Sequence, residues 1–179
     1  NPNTYSVLDS FSEATKKIGK AFKSLKPDVV VVFGDRYEML ASSLAAFILR
    51  INIVHLAGGE KTVGSLDDSF RHSITKFSNL HFPVAKVYKK RIIQLGEDPR
   101  TIFNYGSLNL EKIKKNHYLN KEKLQKIINI KLSKKNILVT YHPDTVDDNK
   151  SLKNLKILLK SLKRFKNINF LITSPNADS

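Results

Sequence analysis

The sequence predicts an α/β protein of parallel sheets with helices wound on both faces. Three observations carry this. Apolar residues switch repeatedly between the three-to-four-residue period of a helix face and short continuous β-branched runs. The stretches joining those runs are about 10–15 residues long, the length of a helical crossover in a βαβ unit. Glycine or proline closes most of the runs, as at Pro27, Gly34, Pro83, Gly96 and Gly106.

The elements follow in order. Leu8, Phe11, Ala14, Ile18, Phe22 and Leu25 lie on one helix face, and Pro27 stops that helix. Val29 to Phe33 is a five-residue apolar run, too short for a helix, and reads as a strand buried on both faces. Residues 37–49 return to helix, with Ala41, Ser42, Ser43, Ala45 and Ala46 small enough for close packing. Ile51 to Leu56 is a second buried strand, and residues 57–66 form a glycine-rich loop. A helix over 67–77, a short strand at 80–82 and a helix over 85–95 come next. Thr101 to Tyr105 reads as a strand, residues 108–128 as one or two helices, and Asn136 to Tyr141 as a strand. Leu152, Leu155, Leu158, Leu159, Leu162 and Phe165 mark an amphipathic helix, and Ile168 to Ile172 is the last strand.

At 179 residues, 41% hydrophobic and 26% charged, the chain has enough apolar material for a core and is not a disordered sequence. No apolar stretch approaches the roughly 20 residues of a membrane span. The N-terminus has no basic region followed by an apolar core, so no signal peptide is expected, and it does not begin with Met. There is no cysteine, hence no disulfide, thiolate metal site or Cys nucleophile; this fits a reducing compartment.

The net charge is +15, and residues 108–179 contribute most of it, with 16 basic and 6 acidic groups. A basic chain attracts polyanions. Of the 31 basic residues, however, 25 are Lys and 6 are Arg, whereas base readout and bidentate phosphate clamps favour Arg. The lysines are also spread along helix faces. The expectation is a solvated basic surface, no specific nucleic-acid partner and no membrane partner. Residues 112–135, with nine lysines and one acidic residue, separate the first αβ units (1–111) from the last two (136–179). They read as a linker helix region between two domains.

Ligands of open parallel sheets bind beyond the carboxyl ends of strands, so the polar residues there are the candidates. Asp35 and Arg36 follow the strongest strand: a carboxylate beside a guanidinium either handles a proton next to a phosphate or caps the following helix. In His55-Leu56-Ala57-Gly58-Gly59-Glu60 the glycines permit a tight turn and close backbone approach. His55 reads as a satisfied interior histidine and Glu60 as the functional candidate. Asp67 and Asp68 open a helix, with Asp67 expected to face Arg71 and Asp68 to face His72. That is either a cap with two surface pairs or a constellation aimed at an anion or sugar. His142 follows the first strand of the second domain. No histidine spacing matches a metal site, and neither G-x-G-x-x-G, a P-loop nor G-x-S-x-G occurs.

Taken in order, GDR at 34–36, HLAGGE at 55–60, DDSFRHSITK at 67–76, QLGEDP at 94–99, YHPDT at 141–145 and SPNADS at 174–179 resemble the hydrolysing UDP-N-acetylglucosamine 2-epimerases of sialic and legionaminic acid synthesis. The resemblance spans nearly the whole chain. It implies two Rossmann-like domains in a GT-B-like architecture, of which this chain is a central piece truncated at both ends. The 179 residues alone are then expected not to turn over substrate. It implies catalytic roles for Asp35 and Asp67, and nucleotide or substrate contacts for Arg36, Arg71, His72, His142 and Asn176. It implies no cofactor and no metal, a UDP-sugar as partner, a homo-oligomer when full length, and a cytoplasmic location. One position departs from the family pattern: many relatives carry a glutamate where this chain has Ala57. Either Glu60 serves in its place, or this branch uses a different set. The non-hydrolysing epimerases, and a binding module without turnover, are the rival readings.

Overall fold

The computed structural model describes residues 2–142 and 148–174. The chain divides into two compact units, Asn1–Lys114 and Lys115–Ser179. In the first, helix α1 (Pro2–Leu25) leads to strand β1 (Val29–Phe33), α2 (Tyr37–Ile48), β2 (Asn52–Leu56), α3 (Leu66–Phe77), β3 (Leu80–Phe82), α4 (Lys86–Gln94) and α5 (Leu108–Lys115), which reaches the boundary. The second contains α6 (Lys121–Ile128), β4 (Asn136–Val139), α7 (Asp148–Leu162) and β5 (Asn169–Ile172). Each unit has one parallel sheet, β1-β2-β3 in the first and β4-β5 in the second. The lysine-rich stretch is thus two short helices, α5 and α6. Asn120 caps the second of them by accepting the Lys123 amide.

The core of the first unit lies on one sheet face. Val30, Val32, Ile53, Ala46 of α2 and Ile74 of α3 are buried together, with Phe22 of α1, Met39, Leu40 and Phe77 packed against them. The alternate residues of β1 behave otherwise. Val29, Val31 and Phe33 are 46%, 59% and 52% exposed, which corrects the expectation of a strand buried on both faces. The reason is geometric. Side chains alternate across a strand, α2 and α3 pack on the Val30 and Val32 side, and among the described residues β1 pairs with β2. A uniformly apolar run carries no mark of which face is covered. The face predicted for α1 is likewise shorter than expected: Phe11, Ala14, Ile18 and Phe22 are partly buried, but Leu8 and Leu25 at its ends are exposed.

The strand predicted at 101–105 is a second correction. Pro99–Thr101 forms a single 3-10 turn capped by Asp98, and pairing with β3 is reduced to one bridge between His81 and Ile102. The Asp98 side chain accepts the Arg100 amide, which favours the turn over a longer strand.

His55 lies one residue before the carboxyl end of β2 and is fully buried, in register with Val32 and His81. It is a satisfied interior histidine, as expected. Nε2 lies 2.9 Å from the Gly34 carbonyl oxygen, which only accepts, so the proton sits on Nε2. Nδ1 lies 3.2 Å from Thr75 Oγ1, which is itself 3.0 Å from the Arg71 carbonyl oxygen. The ring therefore ties the end of β1 to α3. Burial lowers its pKa from 6.5 to about 4, although the Gly34 bond acts the other way.

A pH dependence follows. The folded state holds His55 neutral, while the unfolded chain takes up a proton below pH 6.5, so this stabilisation is complete above pH 6.5 and lost as pH falls to about 4. The gap between the two values corresponds to about 3 kcal/mol. In the full-length protein, His55→Gln keeps a donor toward Gly34 but removes the titration. Urea unfolding at pH 7 and pH 4 is expected to show a loss about 3 kcal/mol larger with His55 in place than in the variant. His81, in register with His55 and also held below its ordinary value by burial, acts on the His55 ring through its charge, so both proteins are compared in a His81→Gln background. Equal losses in the two proteins contradict the account.

Candidate functional site

The carboxyl ends of β1 and β2 and the start of α3 converge on one buried cation. Arg71, one turn into α3, is 4% exposed. Its Nη2 donates to Asp35 Oδ2 and, at 3.1 Å, to Thr62 Oγ1. Its Nη1 donates to Asp68 Oδ1 at 3.1 Å. Asp68 Oδ1 also accepts the Thr62 amide at 2.6 Å, and Asp68 Oδ2 lies 3.7 Å from His72 Nε2. The Thr62 amide first, then His72 and Arg71, hold the Asp68 carboxyl below its usual range.

Ser65 caps α3. Its Oγ accepts the Asp67 amide at 3.1 Å and stands 3.3 Å from Asp67 Oδ2. The cap takes Asp67, and the acid at hydrogen-bond distance from Arg71 is Asp68, three residues before it. The expected Asp68–His72 pair is present at 3.7 Å, and Arg71 also bonds Asp68, because side chains at i,i+3 are neighbours on a helix as much as those at i,i+4.

Asp35 stands at the rim of a groove of about 420 Å3 beyond the end of β1, lined by Phe33, Gly34, Arg36, Glu38 and Met39. Arg36 is exposed, bonded through Nε and Nη2 to Glu38 at 3.2 Å, with its guanidinium 5.9 Å from the centre of the Tyr37 ring. Glu60 is half-buried and makes no hydrogen bond or ion pair among the described residues. Its loop is tightly packed. A Cβ on Gly58 would meet His55 Nδ1 at 2.8 Å, and one on Gly59, whose φ is +80°, would meet the Tyr88 carbonyl at 2.6 Å. Ala57 adopts a φ of 62°, which is unusual for a residue with a side chain.

The structure thus joins Asp35, Arg71, Asp68 and His72 in one network, and sets Arg36 at the mouth of the adjoining groove. Arg71, expected to touch substrate, bonds Asp35, Asp68 and Thr62 through three of its five N–H donors. His142 is exposed just after β4, in the second unit. Asn176 lies outside the described residues. Sequence reasoning passed over Thr62 and Ser65, polar loop residues without a motif of their own. Among the described residues no group of three His, Asp or Glu side chains is placed to hold a metal. No helix among them is long and apolar enough to cross a membrane.

Chemically, the network gives a carboxylate at a groove rim whose position is fixed by a buried guanidinium, with further carboxylates on the helix behind it. Such a pairing of acids in unlike surroundings is what proton transfer in two directions requires.

Comparison with known proteins bears on this geometry. The family profile of the UDP-N-acetylglucosamine 2-epimerases matches residues 1–179. The chain is 46% identical, over 178 residues, to the GDP/UDP-N,N'-diacetylbacillosamine 2-epimerase (hydrolyzing) of Campylobacter jejuni, covering 99% of this chain and 46% of that protein. It is 39% identical to the polysialic acid biosynthesis protein P7 of Escherichia coli, covering 100% of this chain and 46% of the relative. The chain therefore spans about half the length of these relatives. Among solved structures, the UDP-GlcNAc 2-epimerase of Neisseria meningitidis bound to UDP-GlcNAc superposes with a TM-score of 0.79 at 21% identity, over 96% of this chain and 48% of that one, which shows a common fold. The α/β fold with parallel sheets, the order of the motifs and the match over the whole chain agree, and the chain belongs to the UDP-N-acetylglucosamine 2-epimerase family.

Proposed function

We propose that the protein of which this chain is part is a hydrolysing UDP-sugar 2-epimerase. It releases UDP and a 2-epimerised N-acetylhexosamine through a glycal. The observation that carries the reading is Asp35, set by Arg71 at the rim of a groove beyond the end of β1. Family membership and the hydrolysing activity named for the Campylobacter jejuni relative support it.

The chemistry explains the residue types. The C2 proton of a hexosamine is not acidic on its own. As the bond from C1 to the UDP oxygen breaks, its electron pair leaves with UDP and C1 gains oxocarbenium character. A carboxylate then removes the C2 proton, and the C2–H electron pair forms the C1=C2 double bond of the glycal. Water adds its oxygen to C1 while a proton returns to C2 from the other face. The sugar leaves free and inverted at C2. At least two carboxylates with different protonation roles are needed. In this reading Asp35, Asp67 and Glu60 supply them. Arg36, His142 and Asn176 bind the nucleotide and stabilise the departing diphosphate, and His72 adds a contact at the start of α3. Arg71 holds Asp35 and Asp68 and keeps N–H donors for a contact with the substrate. The 46% identity to a diacetylbacillosamine enzyme favours a 2,4-diacetamido-6-deoxy sugar over N-acetylglucosamine. A homo-oligomeric full-length protein in the cytoplasm completes the reading.

The test uses the full-length enzyme with both UDP-sugars, following UDP release and the free sugar. Asp35→Asn is expected to lower turnover at least about 100-fold with substrate binding largely kept. Near-normal turnover removes Asp35 from the chemistry. Product that stays attached to UDP shows the non-hydrolysing reaction instead.

The Ala57 position makes a separate prediction. Glu60→Gln is expected to cripple glycal formation or hydration, and Ala57→Glu to leave the rate almost unchanged. A silent Glu60→Gln together with an activating Ala57→Glu shows that Glu60 does not replace the family glutamate.

A further inference from the structure

The Gly59–Glu60 peptide is held from outside its own loop. Arg91, on α4, donates from Nη1 to the Gly59 carbonyl oxygen. Its guanidinium lies 5.7 Å from the centre of the Tyr88 ring, one turn earlier on the same helix, which limits where it can swing. Loop and helix touch through backbone: the Cβ that Gly59 lacks would collide with the Tyr88 carbonyl. The Gly59 carbonyl and the Glu60 amide share one rigid plane, so fixing the first fixes the direction in which the chain leaves toward Glu60. Glu60 has no side-chain hydrogen bond or ion pair among the described residues, so its backbone is the tether that the structure shows for it.

We propose that Arg91 is a positioning residue for Glu60, clamping the peptide plane from which that carboxylate projects. This rests on the reading of Glu60 as a catalytic acid or base. The bland alternative is a bond that merely ties α4 to the loop. Lys89 supplies the control. It sits on the same helix and donates from Nζ to the Ile102 carbonyl at 2.8 Å, a bond of the same kind directed at a different segment.

The experiment compares Arg91→Gln, Arg91→Lys, Lys89→Gln and Glu60→Gln in the full-length enzyme, by kcat, KM, the pH profile of kcat and thermal midpoint. Arg91→Gln is expected to lower kcat at least about 10-fold with KM nearly unchanged, the signature of a misplaced group. It should also displace the limb of the pH profile that Glu60→Gln abolishes. Arg91→Lys, which keeps a cationic donor, should recover most of the loss, and it carries the measurement if Arg91→Gln does not fold. Lys89→Gln should lower the thermal midpoint comparably while leaving kcat within about twofold, as a bond remote from Glu60 would. If Glu60→Gln is crippled but the Arg91 variants behave like Lys89→Gln, Glu60 keeps its role and Arg91 loses the one proposed here. If Glu60→Gln is silent, both fall.

Discussion

A buried guanidinium organises this site. Arg71 is almost completely removed from water, and a cation so placed is tolerable only when its donors are matched by acceptors and its charge by carboxylates. Asp35 and Asp68 supply the charge, and with Thr62 they accept three of its hydrogen bonds. Each comes from a different segment: the end of β1, the first turn of α3, and the loop leading into α3. Satisfying one side chain therefore fixes three pieces of backbone relative to one another. Charge neutralisation and site assembly are the same event.

His55 works on the same junction from the buried sheet face that α3 covers. Its Nε2 proton holds the Gly34 carbonyl, adjacent to Asp35, and its other nitrogen faces Thr75, whose hydroxyl reaches the Arg71 carbonyl. Two side chains thus grip α3 near Arg71 and the turn before Asp35. The motif HLAGGE acquires a physical account. Gly58 is required by contact with the His55 ring, and Gly59 by contact with the α4 backbone and by its positive φ. Glu60 emerges from that constrained loop.

Much of this was legible in the sequence. The alternation of helical and β-branched runs gave the order of elements, because burial periodicity is local. Placing Asp35 and Glu60 beyond strand ends needed only the polarity of parallel sheets. What was not legible depends on long-range packing. The exposure of Val31 and Phe33 follows from what lies over the sheet, and a run of five apolar residues reads alike whether one or both faces are covered. The bond from Arg71 to Asp35 was not legible, because nothing local shows a carboxylate 36 residues earlier folded against that guanidinium. Arg91 was passed over since nothing local marks an arginine whose acceptor is a carbonyl 32 residues away. Within α3 the expected Asp68–His72 pair forms, and Arg71 bonds Asp68 at three residues where Asp67 at four was expected.

The central claim is that Arg71 and Asp35 are energetically coupled and that this coupling holds the end of β1 onto α3. A double-mutant cycle of Asp35→Asn and Arg71→Gln in the full-length protein, read by denaturant unfolding at neutral pH, measures it directly. The account predicts a coupling of about 2 kcal/mol or more, as for a buried charge pair whose single disruption strands the remaining partner. Effects that add to within about 0.5 kcal/mol would contradict it, and would mean that the two loops are positioned by other contacts.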